Sequence, residues 1–137
     1  MKLVVLDASL ALGLVLPDES SVIAEDLVRR RIAGEIALAA PSLWRIEILS
    51  GLMTASRRGR IDPGDRLPMF RALLKVGVRL VSQWPRPEEL VSLADTDRLR
   101  VYDASYLWLA MRLDASLATG DRALSEAASR RGILWRP

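Results

Sequence analysis

The sequence predicts an α/β fold, a three-layer α/β/α sandwich around a central parallel sheet of about five strands. Three observations predict it. Short apolar runs rich in branched residues alternate along the chain with longer stretches of helical spacing. Those runs are apolar throughout, as strands covered on both faces are. The 137 residues are half hydrophobic, enough for a sizeable core, and no linker, tandem repeat or low-complexity tract divides them. One domain over residues 1–137 is expected.

The elements follow in order. Leu3-Val4-Val5-Leu6 reads as the first strand and stops at Asp7. Residues 9–16 are apolar and helical until Pro17, whose ring cannot continue a helix. From Ser20 the spacing turns helical, with Val22, Ile23, Asp26, Leu27, Arg30 and Arg31 recurring at three and four, and Gly34 as its stop. Ile36-Ala37-Leu38-Ala39 is the second strand. Pro41 and Ser42 punctuate it, with Ser42 placed to cap a long helix over residues 43–58 that Gly59 closes. Asp62-Pro63-Gly64-Asp65 opens another helix, with Leu67, Phe70, Leu73 and Leu74 on one side and an end near Gly77. These two helices are placed to form a hairpin. Val78–Val81 is the third strand, and residues 86–99 are helical, opened by Pro85 and Pro87. An apolar helix over residues 101–113 leads to a short fourth strand, Ser116-Leu117-Ala118. Residues 121–131 are helical, and Ile133-Leu134-Trp135 would close the sheet as a fifth strand.

The composition narrows the chemistry. With no cysteine and no histidine, the chain has no disulfide framework, zinc finger, zinc hydrolase site or Cys/Ser–His couple. A protein-built site must use carboxylates, hydroxyls, amides, Lys or Arg, and carboxylates with Mg²⁺ or Mn²⁺ are the candidates. There are 20 Lys+Arg against 17 Asp+Glu, a net +3, and only Lys2 and Lys75 are lysines. Arginine's planar fork suits phosphate, although a codon preference for arginine explains the bias equally well. Asp7 interrupts the apolar opening segment, no small-residue cleavage site follows it, and no later run suits a membrane helix. A soluble, cytoplasmic protein without membrane attachment is expected.

Four acids stand out by their surroundings. In a parallel α/β sheet, ligands bind beyond the carboxyl ends of the strands. Asp7 directly follows the first strand and Asp121 comes three residues after the fourth. Each has a plainer reading as a helix N-cap. Glu47 lies in the apolar stretch Leu43-Trp44-Arg45-Ile46-Glu47-Ile48-Leu49, and its neighbours at three and four are Leu43, Trp44, Ser50 and Gly51. Those positions describe a side facing protein, with Ser50 and Gly51 leaving room beside the carboxylate; a salt bridge to arginine is the alternative. Asp103 sits in the first turn of an apolar helix, where the dipole favours an anion. Carboxylates gathered in low dielectric raise one another's pKa values unless a cation lies between them, and a divalent metal supplies one. Ser9 and Thr119 would orient Asp7 and Asp121 or hold water, or make local turn bonds.

Four runs resemble a known family. They are Val5-Leu6-Asp7-Ala8-Ser9, Pro41-Ser42-Leu43-Trp44-Arg45-Ile46-Glu47, Tyr102-Asp103-Ala104-Ser105-Tyr106-Leu107-Trp108-Leu109-Ala110 and Leu117-Ala118-Thr119-Gly120-Asp121-Arg122-Ala123-Leu124. In this order they resemble the PIN domain, and within it the VapC-type toxin ribonucleases of prokaryotic toxin–antitoxin pairs. The resemblance spans essentially the whole chain. It implies strand order 3-2-1-4-5 and a catalytic quartet of Asp7, Glu47, Asp103 and Asp121. It further implies Mg²⁺ or Mn²⁺ held by Asp7, Asp103 and Asp121, and cleavage of RNA phosphodiesters. Ser9 and Thr119 match the family's usual hydroxyl positions, while Ser50 stands where an asparagine often follows the helical glutamate. A homodimer and a cognate antitoxin, lying in a groove near the acids, are the implied partners.

On this reading Glu47 completes the metal shell, holds a second ion or orients the attacking water. An acidic pocket that cuts RNA needs flanking positive charge, and Arg45, Arg57, Arg58, Arg60 and Arg122 are the candidate phosphate contacts. Arg29-Arg30-Arg31 reads as a solvated helix end. Asp95 and Asp97 read as a solvated loop or an extension of the acidic rim. Trp44 and Trp108 read as core, and Trp84 and Trp135 are undetermined. The apolar stretches 43–53 and 67–74 are partner surfaces or ordinary core. Two competing readings remain: a non-catalytic partner-binding domain that keeps the acids for architecture, and a structure-specific DNA or RNA nuclease outside toxin function. A phosphoacceptor domain would need adjacent acids after the first strand and a lysine after the last. A phosphatase of the Asp-x-Asp type would need an acid where Ser9 stands.

Overall fold

The computed structural model describes residues 1–19 and 21–137; Ser20, the expected start of the second helix, lies outside the described residues. The chain runs β1 (Lys2–Leu6), α1 (Ala8–Leu12), α2 (Val22–Ile32), β2 (Ile36–Pro41), α3 (Trp44–Arg57), a 3₁₀ turn (Pro63–Asp65), α4 (Arg66–Leu74), β3 (Val78–Val81), α5 (Pro87–Asp97), α6 (Val101–Arg112), β4 (Ser116–Ala118) and α7 (Arg122–Arg130). The sheet order is β3-β2-β1-β4 and every pairing is parallel, with Val5 opposite Ala39 on one side and Leu117 on the other. Val4, Val5 and Leu6 are fully enclosed, as a central strand between two helical layers must be. Helix α6 lies across β1, β2 and β4, and its Ala104, Tyr106, Leu107, Leu109 and Ala110 join Trp44 and Ile48 of α3 in the main core.

Among the described residues four strands form, not five. Leu117 N–H donates to the Ile133 carbonyl at 2.7 Å and the Trp135 N–H returns to the Leu117 carbonyl at 2.8 Å, which makes a single parallel bridge, Leu117 to Leu134. A ladder needs a further residue on β4, but β4 ends at Ala118. The next hydroxyl, that of Thr119, is turned to Asp7.

Helix α1 is also shorter than expected. It gives way at Gly13 to turns through Leu16, because the chain doubles back and brings the Glu19 carbonyl within 3.0 Å of where a Cβ on Gly13 would lie. Ser42 does not cap α3. Its N–H donates to the Val81 carbonyl at 3.1 Å, extending the β2–β3 edge, and Leu43 takes the cap position without a side-chain bond. Gly34, Gly59 and Gly77 end their helices with φ of 77°, 72° and 88°, the left-handed turn that glycine accepts without strain.

Helices α3 and α4 pack as a hairpin, yet only Leu73 of the expected apolar side is fully buried, while Leu67 and Leu74 stay exposed. Trp44 is core. Trp108 is half-buried: its ring packs against the core at its edge, while its indole N–H donates to Glu89 at 3.2 Å. Asp97 is no solvated loop residue: it is buried at the end of α5 and takes Arg131 at 2.5 Å and Arg130 at 3.3 Å, pinning α5 to α7. Arg29 and Arg30 pair with Asp26 one turn back on α2. No helix among the described residues is long and apolar enough to cross a membrane.

Candidate active site

Because β1 and β4 are parallel neighbours, Asp7 and Asp121 open onto the same end of the sheet. Asp7 occupies the N-cap position of α1, yet makes no capping bond there. Its Oδ2 instead accepts two hydroxyls, Ser9 Oγ at 2.7 Å and Thr119 Oγ1 at 2.6 Å. Each hydroxyl is in turn an acceptor: Gly120 N–H donates to Ser9 at 3.2 Å and Asp121 N–H to Thr119 at 3.0 Å. A hydroxyl has one proton, so both protons point at Asp7. Asp7 is only 4% exposed. Burial pushes its pKa up, the two hydroxyls pull it down, and the charge of Asp103 pushes it up again; the net direction is up.

Asp121 does cap its helix, its Oδ2 accepting from Leu124 N–H at 2.9 Å. Asp103, buried in the first turn of α6, faces Arg100, with Nε 3.1 Å from Oδ2 and Nη2 3.5 Å from Oδ1. Glu47 projects from the first turn of α3 and is half-buried, its Oε1 enclosed and without a hydrogen-bond partner. Burial pushes its pKa up, the nearby Tyr106 hydroxyl partly counters that, and Asp7 and Asp103 push it further up. The Tyr106 hydroxyl is enclosed and unpartnered too. It lies close enough to Glu47 to influence ionisation but does not reach hydrogen-bond geometry, and burial raises its pKa strongly. Arg100 responds to three of the acids: pairing with Asp103, and the charges of Asp121 and Glu47, raise its pKa.

The four acids therefore share one electrostatic neighbourhood, while among the described residues no three of them converge tightly enough to ligate one ion. Ser50 is exposed, in an open depression with Ile46, Glu47, Arg100 and Tyr102. Gly51 does not make room for Glu47. Its missing Cβ is filled by Leu12, whose Cδ1 lies 2.4 Å from where that Cβ would be, so Gly51 is a contact point between α1 and α3. Arg45 is exposed in the first turn of α3, about 200° around the helix from Glu47. Arg57 and Arg58 lie at its far end, roughly 15 Å along the axis at 1.5 Å per residue. Arg60 is spoken for by Asp18 and Glu19, and Arg122 by Glu126. Arg100 and Tyr106 escaped the sequence reading. The spacing of Arg100 and Asp103, three apart at a helix start, was the signal for the first.

A parallel α/β sheet whose carboxyl end gathers carboxylates, in a chain without imidazole or thiol, defines a class of acidic-site α/β domains. The family model described as PIN domain matches residues 4–129, and the chain belongs to that family. It is 34% identical over 127 residues, 90% of each chain, to the VapC ribonuclease Mb0985 of Mycobacterium bovis, and equally to Ribonuclease VapC9 of Mycobacterium tuberculosis. Among solved structures, it is similar to PAE2754 from Pyrobaculum aerophilum, with a TM-score of 0.70 and 25% identity over 92% of this chain and 79% of that one. It shares a fold with a domain of a functionally unknown protein from Methanocaldococcus jannaschii, with a TM-score of 0.55 and 18% identity over 98% of this chain and 89% of that one.

Proposed function

We propose that this chain, as one domain over residues 1–137, is a Mg²⁺- or Mn²⁺-dependent endoribonuclease that acts as the toxin of a toxin–antitoxin pair. The observation that carries the reading is Asp7: buried at the end of β1, it declines its helix cap and takes two hydroxyl protons, and its burial, with the charge of Asp103, raises its pKa. The two VapC relatives support the ribonuclease and toxin elements. The donor set suits a hard cation: oxygen ligands only, and an enclosed Glu47 oxygen with no partner. Asp7, Asp103 and Asp121 would hold the ion. When bound, it supplies Lewis-acid relief of charge building on the phosphoryl oxygens.

The chain's own residues do the rest. Ser9 and Thr119 hold the Asp7 Oδ2, leaving the other oxygen without a side-chain hydrogen bond among the described residues, so it would be the one open to an ion. Glu47, with its raised pKa and unpartnered oxygen, is suited to take a proton from the attacking water. Arg45, exposed and without an ion pair among the described residues, is a candidate contact for the RNA backbone. Exposed Ile46, Leu67, Val101 and Tyr102 offer apolar surface to a second copy or to the antitoxin.

The lack of a tight carboxylate cluster among the described residues favours the second reading, a partner-binding domain without catalysis. One experiment separates the two. Purified chain, freed of any partner, is incubated with RNA and with DNA at saturating Mg²⁺ or Mn²⁺, beside Asp7→Asn. Metal-dependent RNA cleavage that Asp7→Asn abolishes supports the nuclease; no cleavage and no metal binding by calorimetry defeat it.

A further inference from the structure

Two of the four acids are engaged elsewhere: Asp121 caps α7, and Asp103 is turned to Arg100, which meets both of its oxygens. Arg100 itself is poorly anchored. Its side chain is 72% exposed, it caps nothing, and its two contacts at 3.1 and 3.5 Å are long for a forked pair. It also lines the open depression with Glu47 and Ser50. Other arginines of this surface lack that position: Arg45 makes no ion pair among the described residues, and Arg60 and Arg122 pair with acids outside the site.

We propose that Arg100 is a displaceable in-chain counter-cation, which neutralises Asp103 in the metal-free protein and must release it before a divalent ion can be held. A carboxylate oxygen that turns to a cation loses its guanidinium partner, so the two compete for one group. The arginine half of the pair is solvated, so its release from the buried Asp103 costs little. The inference rests on the metal-site reading above.

The test is calorimetric titration of Mn²⁺ into the metal-free full chain, with no RNA present. Arg100→Ala is expected to bind Mn²⁺ about two- to fivefold more tightly than wild type, the range that one ion pair with a solvated arginine supplies. Arg45→Ala, which removes an equal charge that touches no acid, is expected to leave the affinity unchanged. If Arg100→Ala binds equally or more weakly, or Arg45→Ala tightens binding as much, the competition is refuted. If wild type itself binds no Mn²⁺, the metal-site reading falls first and this inference with it. Circular dichroism confirms folding, and Arg100→Gln, which keeps most of the stem, carries the same titration if the alanine variant does not fold.

Discussion

Asp7 and Asp97 are hidden to a similar degree, 4% and 8% exposed, and are treated in opposite ways by the residues around them. Asp97, at the end of α5, loses hydration by burial, which raises its pKa. The hydrogen bonds and charges of Arg131 and Arg130 outweigh that and hold it below the ordinary carboxylate range. Asp7, at the end of β1, meets no cation among the described residues: burial and the field of Asp103 raise its pKa, and two neutral hydroxyls only partly oppose them. An enclosed carboxylate satisfied by arginines is a fastener. One left short of positive charge is the place where we propose that a cation from outside binds.

The sharpest way to break this comparison is to neutralise each acid. Asp7→Asn should cut metal-dependent RNA cleavage on the order of 10²–10³-fold, in line with loss of a group that organises transition-state charge, while the urea midpoint does not fall. A fall in stability comparable to the fall in activity would make Asp7 a fastener as well. Next, Thr119→Val removes one proton donor from Asp7 and the acceptor for Asp121 N–H. It should weaken Mn²⁺ affinity roughly 10- to 100-fold, as loss of groups behind a ligand does, measured by calorimetry. Asp97→Ala should instead leave Mn²⁺ affinity alone and cost about 1–2 kcal/mol in urea unfolding, a buried-pair loss discounted for the solvated arginine ends.

The smallest effect is a pH dependence of opposite sign at the two acids. Asp7, with a raised folded pKa, binds more protons folded than unfolded between the ordinary 3.8 and that raised value. Its charge therefore destabilises the metal-free fold fully above the raised value, and the penalty disappears as pH falls below 3.8. Asp97, with a lowered pKa, adds stability that is present above 3.8 and is lost as pH falls through its folded value. In metal-free protein, Asp7→Asn should thus be more stable than wild type at pH 7, with an advantage that shrinks on acidification. The deficit of Asp97→Ala should hold from pH 7 to pH 5 and narrow only in stronger acid. Urea curves at several pH values check both.

The parallel strands and long helices were legible because each announces itself locally: Val78–Val81 forms as a strand, as its apolar run predicted, and α6 follows its apolar stretch closely. What failed depended on partners distant in the chain. Asp97 looked like a loop acid because its arginines lie 33 and 34 residues downstream. Gly51 looked like open space because the residue that fills it, Leu12, is on α1. The fifth strand looked plausible because Ile133-Leu134-Trp135 is apolar, but it meets β4 at one bridge only, Leu117 to Leu134. Asp7 shows the same limit from the other side, since spacing alone left cap and site open, and only its hydrogen bonds distinguish them.

The relayed hydroxyls of Ser9 and Thr119 also leave a mark that no assay of cleavage is needed to see. Gly120 and Asp121 lie in a surface loop whose amides would ordinarily trade their hydrogens with solvent freely, yet both N–H groups are held by those two oxygens. Their deuterium uptake is therefore a native gauge of whether the ends of β1 and β4 are joined. Two slow amides between rapidly exchanging neighbours would report an assembled site, residue by residue, in protein that has never met RNA.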